Sequence, residues 1–156
     1  MTSPFSHLDD SGAARMVDVA GKDVTVRTAT AEGRVDLSAE CVALLRGEGV
    51  PKGDALAVAR LAGIMGAKRT PDLVPLCHPI AVHGVVVDLV VDDDGVAVTA
   101  TVRTADRTGV QMEALTAVTV ACLTLVDMTK SVDPRGTITG VRLLTKTGGK
   151  SGSWER

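Results

Sequence analysis

The chain has 156 residues, of which 45% are hydrophobic and 1% aromatic, and its formal net charge is −2. This length suits one domain, and the apolar content excludes disorder. The scarcity of aromatic rings argues against a single-stranded nucleic-acid binder, which stacks bases on such rings. No basic block suits nucleic acid, and no uninterrupted apolar segment suits a membrane helix. The three cysteines are odd in number and widely spaced, which favours a reduced, cytoplasmic setting.

The first half of the chain predicts a polar, mobile segment, one strand and two helices. β-branched residues alternate with polar ones in the strand, as they do on a half-buried sheet. Ser38 and Asp54 are typical helix-capping residues, and each precedes an apolar run. In chain order these elements are the mobile segment 1–14, the strand 24–30, and the helices 39–46 and 55–68.

The second half predicts a connector, a hairpin, a long helix and a last strand. Three prolines stiffen the connector, and Asp92-Asp-Asp-Gly95 is a hairpin signal. The elements are the connector 71–79, strands 80–91 and 96–105, the helix 110–131, the strand 137–146 and a Gly/Ser-rich tail at 148–156. This order indicates a split β-α-β-β-α-β arrangement, with helices packed on one face of an antiparallel sheet, in a single domain at 15–147.

The long helix contains an unusual uncharged stretch. No charged residue lies between Glu113 and Asp127, and the only polar side chains there are Thr116, Thr119 and Thr124. A helix with one face on a sheet needs a polar outer face unless something else covers it. We therefore expect a second copy of the chain to cover this helix.

Two charged groups flank that stretch. Asp127 and Lys130 are three residues apart, so they share one helix face. They form either an ordinary surface ion pair or, if burial shifts the lysine pKa towards neutrality, an acid–base pair. Glu113 lies about 21 Å from Asp127 along a straight helix, so one pocket could use both only if two subunits contribute or the helix breaks.

Two further motifs are candidates for ligand binding. Cys77 and His78 are adjacent in an extended segment, so their side chains point apart and cannot form a thiolate–imidazolium pair. His78 is either a ligand-binding group or a hydrogen-bonded loop residue. The sequence GGKSG, at 148–152, lacks the spacing of a nucleotide-binding P-loop. It is either a solvated tail or a loop that brings Lys146 and Lys150 to phosphate.

Three long segments carry a resemblance to known proteins: KGDALAVARLAGIMGAKRTPDLVPLCHP, GVQMEALTAVTVACLTLVDMTKSVD and VRLLTKTGGKSG. In order and spacing they closely resemble the MoaC family, from about His7 to Trp154. The resemblance implies a ferredoxin-like α+β subunit in a homohexamer built as a trimer of dimers, with pockets at the dimer interface. It also implies a lyase of molybdenum cofactor biosynthesis, which converts 3′,8-cyclo-7,8-dihydro-GTP to cyclic pyranopterin monophosphate and releases pyrophosphate.

The resemblance also suggests roles for individual residues. Asp127 resembles the family's catalytic carboxylate and Lys130 its partner. The positions that resemble substrate-binding ones are Leu76, Cys77, His78, Met112, Glu113, Lys52, Lys68 and Lys146. Gln111 stands where relatives commonly carry Glu, and an amide cannot ionise. We therefore expect no protein-bound metal and no tightly bound cofactor, although Mg²⁺ can accompany the triphosphate.

Two alternative functions fit the residues without the resemblance. One is a ferredoxin-like regulatory module that binds a small anion and catalyses nothing, since one fold serves many functions. The other is an enzyme with Cys77 as nucleophile, in which replacement of Cys77 by Ala would abolish activity. We expect that replacement only to weaken binding.

Overall fold

The structure is a computed structural model, and it describes residues 5–156. These residues form a five-stranded sheet and four helices. The strands are β1 (Thr25–Asp36), β2 (Gly84–Asp92), β3 (Gly95–Asp106), β4 (Thr137–Thr147) and β5 (Trp154–Glu155). The helices are α1 (Ala39–Arg46), α2 (Ala55–Lys68), α3 (Thr70–Leu73) and α4 (Gln111–Thr129).

The sheet has the strand order β2-β3-β1-β4-β5, and every neighbouring pair is antiparallel. The helices lie on one face of it, which confirms the predicted ferredoxin-like α+β fold. The central strand β1 is longer than predicted, because it pairs with β3 along its whole length and with β4 from Thr28 to Asp36. The pairing with β4 contains register shifts around Gly33. β2 begins later than predicted, because Ala81 donates its backbone N–H to Asp106 instead of joining the sheet.

α4 is the core helix of the domain. Its inner side is completely buried at Ala114, Ala117, Ala121 and Leu125. By length and composition alone α4 could cross a membrane, but 56% of its most apolar stretch is buried inside the protein. Burial to that extent is typical of the core helix of a globular domain.

The outer side of α4 and the adjoining side of α2 form an exposed apolar surface. Small residues bring the two helices close together: a Cβ at Gly63 would lie 3.0 Å from the carbonyl oxygen of Ala117. The side chains of Leu61 and Leu123 are 61% and 59% exposed. The hydroxyl of Thr119 donates back to the carbonyl of Leu115, so it adds little polarity to this surface.

Both ends of the described chain form backbone pairings. The predicted mobile segment 1–14 begins with four residues that lie outside the described ones, and its remainder contains a bridge between Leu8 and Ala14. In the Gly/Ser-rich tail, β5 pairs with β4, so that Trp154 lies opposite Lys146. This pairing holds the end of the chain beside the sheet.

The crossing of α4 over β1 depends on a glycine. A Cβ at Gly33 would lie 2.7 Å from the side chain of Val118 and 3.0 Å from that of Val141. Gly33→Ala is therefore expected to lower the free energy of unfolding by about 1–2 kcal/mol, because both valines are stiff. Gly21→Ala is the control, because nothing lies within 4 Å of a Cβ there. Urea unfolding measures both; equal stability of the two variants would contradict this close approach.

Candidate active site

A cleft of about 580 Å³, the main cleft, lies beside the N-terminal end of α4. Its walls come from the N-terminal segment, the connector after α3 and the first turn of α4. Five of the sequence-predicted binding residues line it together: Leu76, Cys77, His78, Met112 and Glu113.

The connector that carries Cys77 and His78 is fixed at both ends. Thr70 donates its hydroxyl to the carbonyls of Gly66 and Ala67, which joins α2 to α3. Beyond the prolines, the bond from Ala81 to Asp106 anchors the connector to the end of β3. This restraint holds the side chains of the connector at the cleft.

His78 contacts the N-terminal segment. Its Nε2 donates a hydrogen bond to the carbonyl oxygen of Val17, because a carbonyl can only accept. In the neutral ring this leaves Nδ1 as the acceptor. The segment thus fixes the orientation and the tautomer of a side chain that lines the main cleft.

Cys77 is paired with Glu113 and not with His78. Its Sγ lies 3.5 Å from Oε1 of Glu113. Burial, and secondly the negative charge of Glu113, raise the pKa of the Cys77 thiol to about 11. The thiolate is therefore scarce at neutral pH, which argues against Cys77 as a nucleophile.

Glu113 is the most deeply buried ionisable group of the main cleft, with 1% of its surface exposed. Burial raises its pKa, because the charged form loses its hydration. Its Oε2 has no hydrogen-bond partner among the described residues. A carboxyl group in this state is ready to hydrogen bond to a ligand.

A second cluster, the Lys–Asp–Lys cluster, lies at the other end of α4. Lys52 Nζ is 2.9 Å from each carboxylate oxygen of Asp127, and Lys130 Nζ is 2.5 Å from Oδ1. Lys52 comes from the turn before α2, where Gly53 donates its N–H to the carbonyl of Val50. The cluster therefore joins the start of α2 to the end of α4.

The charges of this cluster stabilise one another. Hydrogen bonds from Lys130 and Lys52 lower the pKa of Asp127, and the bond to Asp127 raises the pKa of Lys130. Of the two alternatives for this pair, the single chain has the surface ion pair, because the Lys130 side chain is 56% exposed. At neutral pH the cluster holds one carboxylate and protonated Lys130.

The two groups of side chains are far apart within one chain. α4 is continuous from Gln111 to Thr129, so Glu113 and Asp127 lie about 21 Å apart along its axis. Of the two ways to unite them, a break in the helix is excluded. A single site that uses both groups requires a second subunit.

The remaining predicted lysines lie elsewhere. Lys146 lines a second cleft of about 200 Å³, which adjoins the main cleft and shares four lining residues with it: Lys22, Thr108, Gly109 and Gln111. Lys68 is exposed on the last turn of α2 and lines neither cleft.

Sequence reasoning missed Lys22 and Arg27 as residues of the second cleft. A signal for Arg27 exists in the strand pattern. Residues 27, 29, 31, 33 and 35 of β1 face the helices, and all but Arg27 are small or apolar and fully buried. A charged side chain on the apolar side of a strand indicates a site. Lys22 lies before β1 and has no comparable signal.

Residues 5–156 contain no group of three or more His, Cys, Asp or Glu side chains placed to hold a metal ion. The chemistry available is that of a buried carboxyl, a thiol and an imidazole in one cleft, with an exposed Lys–Asp–Lys cluster at the far end of the same helix. Fold and site together define a ferredoxin-like α+β protein with a cleft of the size that binds small molecules.

The chain belongs to the MoaC family, whose sequence model matches residues 16–149. Among its relatives, the cyclic pyranopterin monophosphate synthase of Streptomyces coelicolor is 70% identical over 97% of this chain and 89% of its own length. The synthase of Nocardioides sp. is 68% identical over 97% and 95% of the two chains. That of Cereibacter sphaeroides is 57% identical over 98% of both.

The buried acid of the main cleft is expected to make stability depend on pH. Because the pKa of Glu113 is raised in the fold, the folded protein favours the protonated carboxyl. The contribution of Glu113 to stability is therefore fully present below its ordinary pKa of 4.5, and it is lost as the pH rises through the raised pKa. Glu113→Gln removes that loss, so the variant is expected to be more stable than the parent at about pH 8 but not at about pH 4. Thermal unfolding at both pH values measures this.

Glu48→Gln is the matched control, because Glu48 is exposed. It is expected to change stability little at either pH. An equal stability difference between Glu113→Gln and the parent at both pH values would show that Glu113 is not held neutral in the fold.

Proposed function

We propose that the protein is a cyclic pyranopterin monophosphate synthase of molybdenum cofactor biosynthesis. It is a lyase that converts 3′,8-cyclo-7,8-dihydro-GTP to cyclic pyranopterin monophosphate with release of pyrophosphate. The observation that carries this proposal is the identity of 57–70%, over nearly the whole chain, with relatives that bear this name.

The main cleft suits the ring end of such a substrate. Leu76 and Met112 supply apolar contact, while Cys77, His78 and Glu113 supply polar groups. A pocket with mainly apolar walls and a few fixed polar groups is typical of small-molecule recognition. In this proposal the unpaired Oε2 of Glu113 hydrogen bonds to the nitrogen-rich ring.

The Lys–Asp–Lys cluster supplies the proton transfers. The reaction opens a purine-derived ring, forms a pterin and closes a cyclic phosphate, so protons move at several centres. Lys130 acts as general acid, and Asp127 acts as general base or orients Lys130. Their charge states support these roles: the pKa of Asp127 is lowered and that of Lys130 is raised, so base and acid are both in the required form.

In the working enzyme, two copies combine these groups. The Lys–Asp–Lys cluster of one subunit lies at the main cleft of another, because one chain holds the two groups about 21 Å apart. The exposed apolar surface of α2 and α4 lies between them and suits a subunit contact: Val58, Leu61, Met65 and Leu123 are all exposed there. Burial in that contact would desolvate Lys130 and move its pKa in the direction that the sequence suggests.

The larger assembly is a homohexamer, a trimer of such dimers, located in the cytoplasm. The three cysteines, all within the described residues, are free thiols, which supports a reducing location. Mg²⁺ enters with the triphosphate of the substrate and not as a resident cofactor.

The catalytic assignment is tested by incubating the protein with 3′,8-cyclo-7,8-dihydro-GTP and measuring pyrophosphate and the pterin product. Asp127→Asn is expected to lower turnover at least about 100-fold and to leave assembly and ligand binding intact. Asp93→Asn, an exposed carboxylate paired with Arg46, is the control and is expected to react normally. Normal turnover by Asp127→Asn would refute the assignment. Binding without turnover by the intact oligomer of the parent chain would favour the regulatory module.

The shared site is tested by mixing Asp127→Asn and Glu113→Gln, each first shown to be inactive by itself, under conditions that exchange subunits. If each site takes Asp127 from one chain and Glu113 from another, a mixed dimer has one intact site. An equal mixture is then expected to regain about a quarter of the parent activity. No recovery, despite exchange detected by mass spectrometry, would place both residues of a site in one chain.

A further inference from the structure

The N-terminal part of the chain forms one wall of the main cleft without entering the core. Its residues 7–22, here called the strap, include His7, Val17 and Val19, which line the main cleft. None of residues 7–22 is buried. A segment that buries little apolar surface opens at a lower free energy than the core does. The strap is therefore a wall of the main cleft that can move while the core stays folded.

Two side chains of the domain hold the strap by its backbone. Nε2 of His78 donates a hydrogen bond to the carbonyl oxygen of Val17. Nε of Arg107 donates to the carbonyl oxygen of Lys22 at 3.1 Å. A third cleft, of about 560 Å³, also adjoins the strap, and Val17 and Val19 line both this cleft and the main one. The strap thus separates two clefts, which leave it room to move between its attachments.

The strap begins with a small hairpin that carries His7. The N–H of Arg15 donates to the carbonyl of His7 at 2.8 Å, and the N–H of Asp9 donates to the carbonyl of Ala13 at 2.9 Å. The carboxylate of Asp9 closes the turn, because it accepts the N–H groups of Ser11 and Ala13. These local bonds shape the hairpin, so His7 moves together with the rest of the strap.

His7 brings an unused hydrogen-bond acceptor to the main cleft. Its Nδ1 lies 3.3 Å from the carbonyl oxygen of Arg15, so Nδ1 carries the proton, because a carbonyl can only accept. In the neutral ring Nε2 is then the acceptor, and no residue among 5–156 bonds to it. His7 lines the main cleft and not the second one. It therefore belongs with the apolar and neutral groups of the site.

The side chains of the strap suit a flat ring that has N–H groups at its edge. Val17 and Val19 are apolar and can cover the face of a ring, and His7 can accept a hydrogen bond from its edge. A guanine-derived ring has such N–H groups. The chemistry of the strap thus complements that of Glu113, which lies in another wall of the same cleft.

We propose that the strap closes over a ligand in the main cleft and that His7 is a further binding residue, whose Nε2 accepts a hydrogen bond from an N–H group of the ligand's ring. That the ring is guanine-derived rests on the proposed function. His7 orients the ring and transfers no group. Closure excludes water from the cleft, and in this drier environment the hydrogen bonds to the ring are stronger.

The role of His7 is tested by titrating the oligomeric protein with 3′,8-cyclo-7,8-dihydro-GTP in a calorimeter, in an Asp127→Asn background that prevents turnover. The amide of Asn can take the place of Nδ1, and that of Gln the place of Nε2. His7→Asn keeps the bond to Arg15 but is expected to weaken binding about tenfold. His7→Gln keeps an acceptor at the position of Nε2 and is expected to bind within about threefold of its parent.

His83→Gln is the matched control. His83 is exposed and also contacts a carbonyl, that of Ala81, through Nδ1, but it lines neither the main cleft nor the third one. It is expected to bind the ligand like its parent, and thermal unfolding of every variant confirms that it is folded. Weaker binding by His7→Gln than by His7→Asn would show that His7 only shapes the hairpin, and would overturn the proposal. Parent-like binding by both His7 variants, or an equal loss in His83→Gln, would overturn it as well.

Closure of the strap is tested by hydrogen exchange of backbone amides, followed by mass spectrometry with and without the same ligand. Exchange within residues 7–22 is expected to slow at least about fivefold when the ligand saturates the Asp127→Asn protein. The slowing is expected to be smaller in His7→Asn at equal saturation, because the strap then lacks its bond to the ring. Unchanged exchange within residues 7–22 at saturation would contradict closure.

The outcome is separable from that of the proposed function. If the ligand slows exchange in the strap and binds through His7, but the parent chain does not convert it, the proposed function fails and the role of the strap stands. If the parent chain converts the ligand while His7→Asn binds it normally and exchange in the strap is unchanged, the role of the strap fails and the function stands.

Discussion

The length and composition of α4 control where function can be located in this fold. The helix is uncharged from Ala114 to Val126, and it packs on the sheet with one side and beside α2 with another. Polar chemistry is thereby confined to its two ends. At one end Glu113 lies in the wall of the main cleft, and at the other Asp127 is held between two lysines. The helix fixes the separation of these two groups, so that a site using both has to be shared between subunits.

The same packing explains why the two carboxyl groups behave differently. Asp127 is on the exposed side of the last turn of α4 and has two ammonium partners, so its charge is stabilised. Glu113 is on the buried side of the first turn and has no cationic partner among the described ion pairs, so burial penalises its charge. Two acidic residues of one helix thus acquire opposite pKa shifts from position alone.

Much of the fold follows from local sequence signals. Ser38 and Asp54 cap α1 and α2 as the sequence predicts, because helix capping depends only on a few neighbouring residues. The extension of β1 beyond the predicted strand could not be read locally, since it comes from pairing with β3 and β4. The delayed start of β2 depends in the same way on a bond to Asp106, a distant residue.

The site was harder to predict from the sequence, because the spacing of residues along the chain does not show which side chains meet in the folded protein. The resemblance placed Cys77, His78 and Glu113 in one group, and the structure brings them to one cleft. The spacing of Asp127 and Lys130 predicted their contact, but Lys52 joins them only because the turn before α2 meets the end of α4. The sequence analysis did not include Arg27, although this charged residue lies on the same side of β1 as the buried residues.

The two adjoining clefts differ in the charge of the residues that line them. An ionised carboxylate beside bound phosphates would repel them, whereas a neutral carboxyl does not. Burial of Glu113 raises its pKa and so favours the uncharged carboxyl in the main cleft, next to the cations Lys22, Arg27 and Lys146 of the adjoining one. Burying a carboxyl group with one unpaired oxygen lowers the stability of the protein, a cost that is common where a site is arranged to bind a ligand.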